Sequence, residues 1–180
     1  MTGVVARLRG MTEGYAPGQD RPLRGYLVTL GGYLGVCGAL VGLARATGRT
    51  APQRPTTQDV VLMSIATHKM SRLLAKDSVT SPLRAPFARY ERATGDAELG
   101  ERVRGTGVAH AVGELVTCPF CLGVWVATGL SAGLVFAPRL TRLMAATFTA
   151  VAVSDMLQLS YAALQQQARG GSDRDRPTAS

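Results

Sequence analysis

The sequence predicts an all-α protein, a polytopic bundle of four transmembrane helices, and three observations carry that reading. Only 18% of its 180 residues are charged while 46% are hydrophobic, less charge than soluble domains carry. The apolar residues are gathered into long uncharged blocks rather than spread as short amphipathic pieces. Third, Glu114-Leu-Val-Thr-Cys-Pro-Phe-Cys-Leu-Gly-Val-Trp125 is a polar, cysteine-bearing turn that opens directly into an uncharged run ending near Pro138. Three spanning helices plus one interfacial amphipathic helix is the alternative.

The net charge of +8 is almost all arginine, scattered between the apolar blocks. A nucleic-acid surface would cluster it with aromatics, so the expected partner is the lipid bilayer and no nucleic acid is expected. Three cysteines do not make a secreted disulfide framework.

Residues 1–24, rich in Arg, Gly and Pro, read as a disordered tail. No signal peptide is expected, because the first long apolar run starts only at Gly25 and exceeds a typical h-region. That run, 25–44, is helix one, whose 20 residues at about 1.5 Å each match a hydrocarbon core of about 30 Å. Gly31, Gly35, Gly38 and Gly42 fall on one stripe, the spacing that lets two helix backbones approach. They are the expected contact face for a membrane protein partner or a homo-oligomer.

Residues 45–58 read as a loop, and Asp59 is placed to cap helix two, 59–76. There Leu62, Met63, Ala66, Met70, Leu73 and Leu74 share one face, with Ser64, His68, Lys69, Arg72 and Lys76 opposite. Such a helix spans only if its charges meet partners or water. Residues 77–114 read as a loop with short helical pieces, Phe87 and Tyr90 among Arg84, Arg89 and Arg92 resting on headgroups. Helix three is 119–136, with Cys118 as N-cap, Pro119 at the first helical position, Cys121 in the first turn and Trp125 packing in its cytoplasmic third. Gly129 and Gly133 make a second small-residue pair. After a turn at Ala137-Pro138-Arg139, helix four is 140–165, and 166–180 reads as a disordered tail.

Four spans with the N-terminus inside put 13 Lys and Arg in the cytoplasm, against Arg45, Arg49, Arg54, Arg139 and Arg142 outside. The three-span arrangement does as well with the N-terminus outside. Both make the chain a multi-pass cell-membrane protein with Cys118 and Cys121 facing the cytoplasm.

Three groups of residues resemble a bacterial membrane family catalogued as domain of unknown function 1360. They are His68-Lys-Met-Ser-Arg72 with Asp77 and Val79-Thr-Ser-Pro82-Leu-Arg84, the Glu114 to Trp125 stretch with Gly123, and the closing apolar helix. The resemblance covers about residues 57–164 and leaves the glycine-striped helix outside it. It implies an integral membrane protein without an assigned activity, and the expectation for the whole chain is a structural or interaction component of a bacterial inner membrane.

The residues leave two chemistries open. Cys118-Pro-Phe-Cys121 looks locally like a glutaredoxin-type motif, with Cys118 as attacking and Cys121 as resolving thiol. A structural zinc ion needs about four ligands, which His110 and His68 would have to complete. The bland alternative is a helix entrance packed with small polarizable thiols. Asp155, the one carboxylate deep in an apolar helix, is expected to pair with Arg72, with Lys69 or His68 as a secondary contact and Gln158 adding a hydrogen bond.

Overall fold

The structure, a computed structural model, describes residues 22–50, 54–95 and 98–174, with side chains as far as Arg169. These residues form α1 (Leu23–Ala46), α2 (Thr57–Lys76), the one-turn α3 (Ser81–Arg84), β1 (Ala88–Ala93), β2 (Leu99–Val103), α4 (Gly107–Thr117), α5 (Pro119–Phe136) and α6 (Pro138–Arg174). The fold class is all-α, and three helices are long and apolar enough to cross a membrane: α1, α5 and α6 as far as Arg169. α2 does not meet that measure.

Several boundaries differ from the sequence reading for local reasons. Thr56, not Asp59, caps α2: its hydroxyl accepts the Asp59 N–H at 3.0 Å, leaving the Asp59 carboxylate free to pair elsewhere. The turn before α6 shrinks to Ala137, because Pro138 serves as a first helical residue that needs no N–H. α6 then runs past Gln165 to Arg174, since Gln165-Gln-Gln-Ala-Arg169 are helix-favouring residues added to an existing helix. The expected C-terminal tail is thus corrected over 166–174, which are helical, while residues 1–21 and 175–180 of the two expected tails lie outside the described residues.

Segment 77–114 is more ordered than the loop expected there. β1 and β2 pair antiparallel from Ala88↔Val103 to Ala93↔Leu99, with an irregularity between Tyr90 and Arg92. An isolated bridge, Asp77↔Glu98, ties the hairpin to the end of α2. Its base docks on α4, where a Cβ on Gly113 would lie 2.5 Å from Val103 Cγ1 and 3.0 Å from the Phe87 carbonyl.

α2, α5 and α6 meet around Ala66, Leu130 and Ala145, surrounded by Leu62, Met63, Met70, Val126 and Phe148. Alanines at the centre let the backbones come close, and packing of that kind holds helices together in lipid. Thr149 of α6 donates to the Leu62 carbonyl of α2 at 3.0 Å.

Directions follow from the contacts. α2 and α6 are parallel, with Asp59 beside Arg142, Leu62 beside Thr149 and Lys69 beside Asp155. α1 and α5 run together the other way. Tyr26 reaches Glu114 just before α5, Tyr33 meets Trp125 edge-on at 5.2 Å, and Arg49 donates to the carbonyl of Phe136, the last residue of α5, at 2.6 Å. α3, the hairpin and α4 gather at one end of the molecule, the cap end.

Close approach by glycine occurs away from the stripe. A Cβ on Gly31, Gly35, Gly38, Gly42 or Gly129 would meet nothing within 4 Å. On Gly25 it would lie 2.6 Å from the Gly107 carbonyl and 2.7 Å from Ala111 Cβ, and on Gly133 it would collide with Thr141.

Candidate functional site

The cysteine turn is a helix junction. Cys118 is extended (φ −104°, ψ 109°), the conformation a following proline favours, and it ends α4 and caps α5. Its Sγ accepts the Cys121 N–H at 3.2 Å, and the two sulfurs are 2.7 Å apart as free thiols. Cys121 is exposed, Cys118 is half-buried, and Phe120 between them is 90% exposed. Glu114, one turn earlier, accepts the Tyr26 hydroxyl at 2.5 Å and lies 3.5 Å from His110 Nε2. Glu114 is therefore a strut between α4 and α1. Gly123 faces α2, where a Cβ would touch only Thr67 at 3.9 Å.

Asp59, Lys69 and Arg72 of α2 are matched to partners along its length. At its start the Asp59 carboxylate takes two bonds from Arg142, at 2.7 and 3.0 Å. Deeper in, Lys69 Nζ meets Asp155 Oδ2 at 2.5 Å. Near its end Arg72 Nε donates to Glu98 Oε1 at 3.0 Å.

The expected Arg72–Asp155 pair is thus corrected. Partners across α2 and α6 are separated by 83, 87 and 86 positions, a register that brings Lys69 to Asp155 and carries Arg72 about one turn beyond it, within reach of the hairpin. Gln158 bonds Ser154 at 3.3 Å rather than Asp155. His68 is exposed, and its ring makes no hydrogen bond among the described residues.

Arg84 is the most enclosed charge. Its side chain is 1% exposed and pairs with Glu101 at 5%, so it is not one of the headgroup-facing arginines expected from the sequence. Nε and one terminal nitrogen donate to the two Glu101 oxygens at 2.6 and 3.2 Å; the terminal nitrogens also reach the Leu74 carbonyl, the Asp77 carbonyl and the Thr80 hydroxyl at 2.7–2.9 Å. All five donors of the guanidinium are used, closing the C-terminal carbonyls of α2 onto the hairpin. Asp77 caps α2 and accepts the Val79 N–H at 2.9 Å, while Pro82 sits in the first turn of α3.

Among the described residues no three His, Cys, Asp or Glu side chains converge as a metal site would require. His110, His68, Cys118 and Cys121 are not brought together as one set. The sequence reading missed Glu98, Glu101, Arg142, Tyr26 and Tyr33. Only the first three carry a signal, a charge whose buried partner must be supplied from somewhere.

Comparison with known proteins reaches the same segment. Over 71 residues the chain is 39% identical to Sporulation protein YjcA of Bacillus subtilis (strain 168), a stretch that is 38% of this chain and 60% of that protein. Over 80 residues it is 26% identical to UPF0713 protein YngL of the same organism, covering 44% of this chain and 60% of that protein. The chain thus spans about 60% of the length of these curated relatives. No solved structure matches it. The family described as protein of unknown function (DUF1360) matches residues 62–161, from α2 through the hairpin and cysteine turn into α6, and the chain belongs to that family.

Proposed function

We propose that this chain is a multi-pass integral protein of a bacterial membrane, crossing it four times, and that it acts as a structural or interaction component. The observation that carries the topology is that α1 and α5 run in the same direction. α1 ends at the level where α5 ends, so the chain between them must return through the same thickness, and α2 is the segment that runs back. Its 20 residues cover about 30 Å. An interfacial α2 would instead require α1 and α5 to be antiparallel. The cap end then receives most of the Lys and Arg and faces the cytoplasm with Cys118 and Cys121.

Pairing of Asp59, Lys69, Arg72 and Arg84 supports a structural use of these charges. The glycine stripe lies on the far side of α1 from Tyr33, which supports self-association or a membrane partner there. The likeness to a sporulation protein adds spore formation as a process in which loss of this chain would be scored.

Impermeant labelling of single cysteines at positions 10 and 52, with the native cysteines removed, tests the topology. Position 52 should label from outside and position 10 should not; the reverse would overturn the four-span reading. A second reading, thiol exchange, is favoured by the 2.7 Å sulfur separation alone, which is too short for two thiolates on one tetrahedral zinc. The thiol state of the purified protein, beside Cys118→Ser and Cys121→Ser, separates the two. A reversible disulfide would favour this second reading, whereas variants that keep function favour interaction.

A further inference from the structure

The first turns of α1 pack on α4 at Gly107 and Ala111; beyond them α1 stands apart from α2, and a lateral cleft of about 970 Å³ opens between the two. One wall is Cys37, Leu40, Val41 and Ala44 of α1; the other is Val60, Met63, Ser64 and Thr67 of α2. The floor is α5, with Ala127, Ser131 and Ala132 among its residues. Leu134, Val135 and Phe136 continue the floor away from the cap, so the slot follows α5 for about 14 Å. At the end away from the cap stands Arg45, which also lines the cleft and has no ion pair or side-chain hydrogen bond among the described residues. Arg49 and Arg54 follow it in the chain, and the carboxylate at this end, Asp59, is already held by Arg142.

We infer that this cleft is a binding site for one anionic phospholipid, its acyl chain along the slot and its phosphate at Arg45. Charge complementarity commits the occupant. The mouth offers an unpaired guanidinium with two more arginines nearby in sequence, and a guanidinium pairs with a phosphate through two charge-assisted hydrogen bonds. The apolar walls suit a hydrocarbon chain, and the volume lies within the roughly 300–1,000 Å³ of organic-ligand sites. A helix about 10 Å across would fit for only about two turns, which favours a lipid over a partner helix.

The proposal rests on membrane residence, and its test keeps the two apart. Delipidated full-length protein in detergent is mixed with phosphatidylglycerol or phosphatidylcholine and bound lipid is counted by native mass spectrometry. One phosphatidylglycerol per chain should bind about fivefold more tightly than phosphatidylcholine, the effect of one arginine near anionic lipid. Arg45→Gln should remove that preference and Arg45→Lys retain most of it, while Ser131→Phe, which fills the floor, should abolish binding of both lipids at the site.

Equal binding of the two lipids by the wild type, or full preference in Arg45→Gln, would overturn the site. Competition by soluble glycerol phosphate as strong as by the lipid would overturn the acyl-chain part. Disulfide crosslinking of Cys37 between copies in place of lipid would give the cleft to a second chain and overturn the proposal. A protein that loses lipid preference yet still fractionates with membranes leaves the membrane reading standing.

Discussion

α1 and α2 invert the relation between composition and position. α1 is the more apolar helix, uncharged from Gly25 to Ala44, yet of its 24 residues only Gly25 is buried. α2 carries Asp59, His68, Lys69, Arg72 and Lys76 and lies between α5 and α6, burying Asp59, Ala66, Ser71 and Ala75. In lipid an apolar surface gains little by turning toward protein, since acyl chains are as apolar as leucine. A charge gains a great deal. The helix with unmet polar groups therefore takes the centre, and the helix without them sits at the edge.

The sharpest way to break that contrast is at Arg84, where the polar end of α2 meets the hairpin. Arg84→Gln removes the charge that balances Glu101, itself 5% exposed. Loss of one partner of a buried pair costs about 3–5 kcal/mol. Thermal unfolding in detergent should show a loss of that order, with a similar loss for Glu101→Gln. The double variant should cost no more than either alone. Independent, additive losses would mean that the two side chains do not form a unit.

A smaller effect is expected within the bundle. Lys69 is 19% and Asp155 43% exposed in their side chains, so the pair lies on the flank of the bundle rather than enclosed like Arg84 and Glu101. Polar contacts between membrane helices average about 0.6 kcal/mol and reach about 1.7. A double-mutant cycle of Lys69→Met with Asp155→Asn should give a coupling in that range, and one of Arg72→Gln with Asp155→Asn should give none. Coupling between Arg72 and Asp155 instead would move α6 by one turn relative to α2.

These pairs also mark how far the sequence could be read. The positions of α1, α5 and α6 were legible because uncharged runs and Pro119 announce them, and the cysteine cap was legible because a proline at the first helical position leaves Cys118 little choice. Asp155 was legible as a charge in need of a partner. Which base it would meet was not, since Lys69 and Arg72 lie one turn apart and helix register is set by the packing of Ala66, Leu130 and Ala145. The hairpin escaped for a different reason. Ala88-Arg-Tyr-Glu-Arg-Ala93 is exposed at every residue after the first and so lacks the apolar alternation that signals a strand. It is held by Arg84, Glu98 and Glu101, long-range partners that no local pattern reveals.

The smallest effect on the single chain should come from α1, where it is the assembly that ought to respond. Gly35 meets nothing within 4 Å, and at about 100° per residue it lies roughly opposite Tyr33, which faces α5. Replacing it by leucine removes no contact within the chain, and a glycine inside a helix is itself unfavourable by about 1 kcal/mol relative to alanine. Gly35→Leu should therefore leave the melting temperature of the monomer unchanged or slightly raised. If the stripe is where two copies meet, the same change must keep their backbones apart, because small residues at this spacing are what permit close crossing. Energy transfer between labelled copies in vesicles would then fall while stability did not. Unchanged transfer would mean that Gly31, Gly35, Gly38 and Gly42 face only lipid. The edge position of α1 would then follow from its lack of polar groups alone, with no partner needed to account for it.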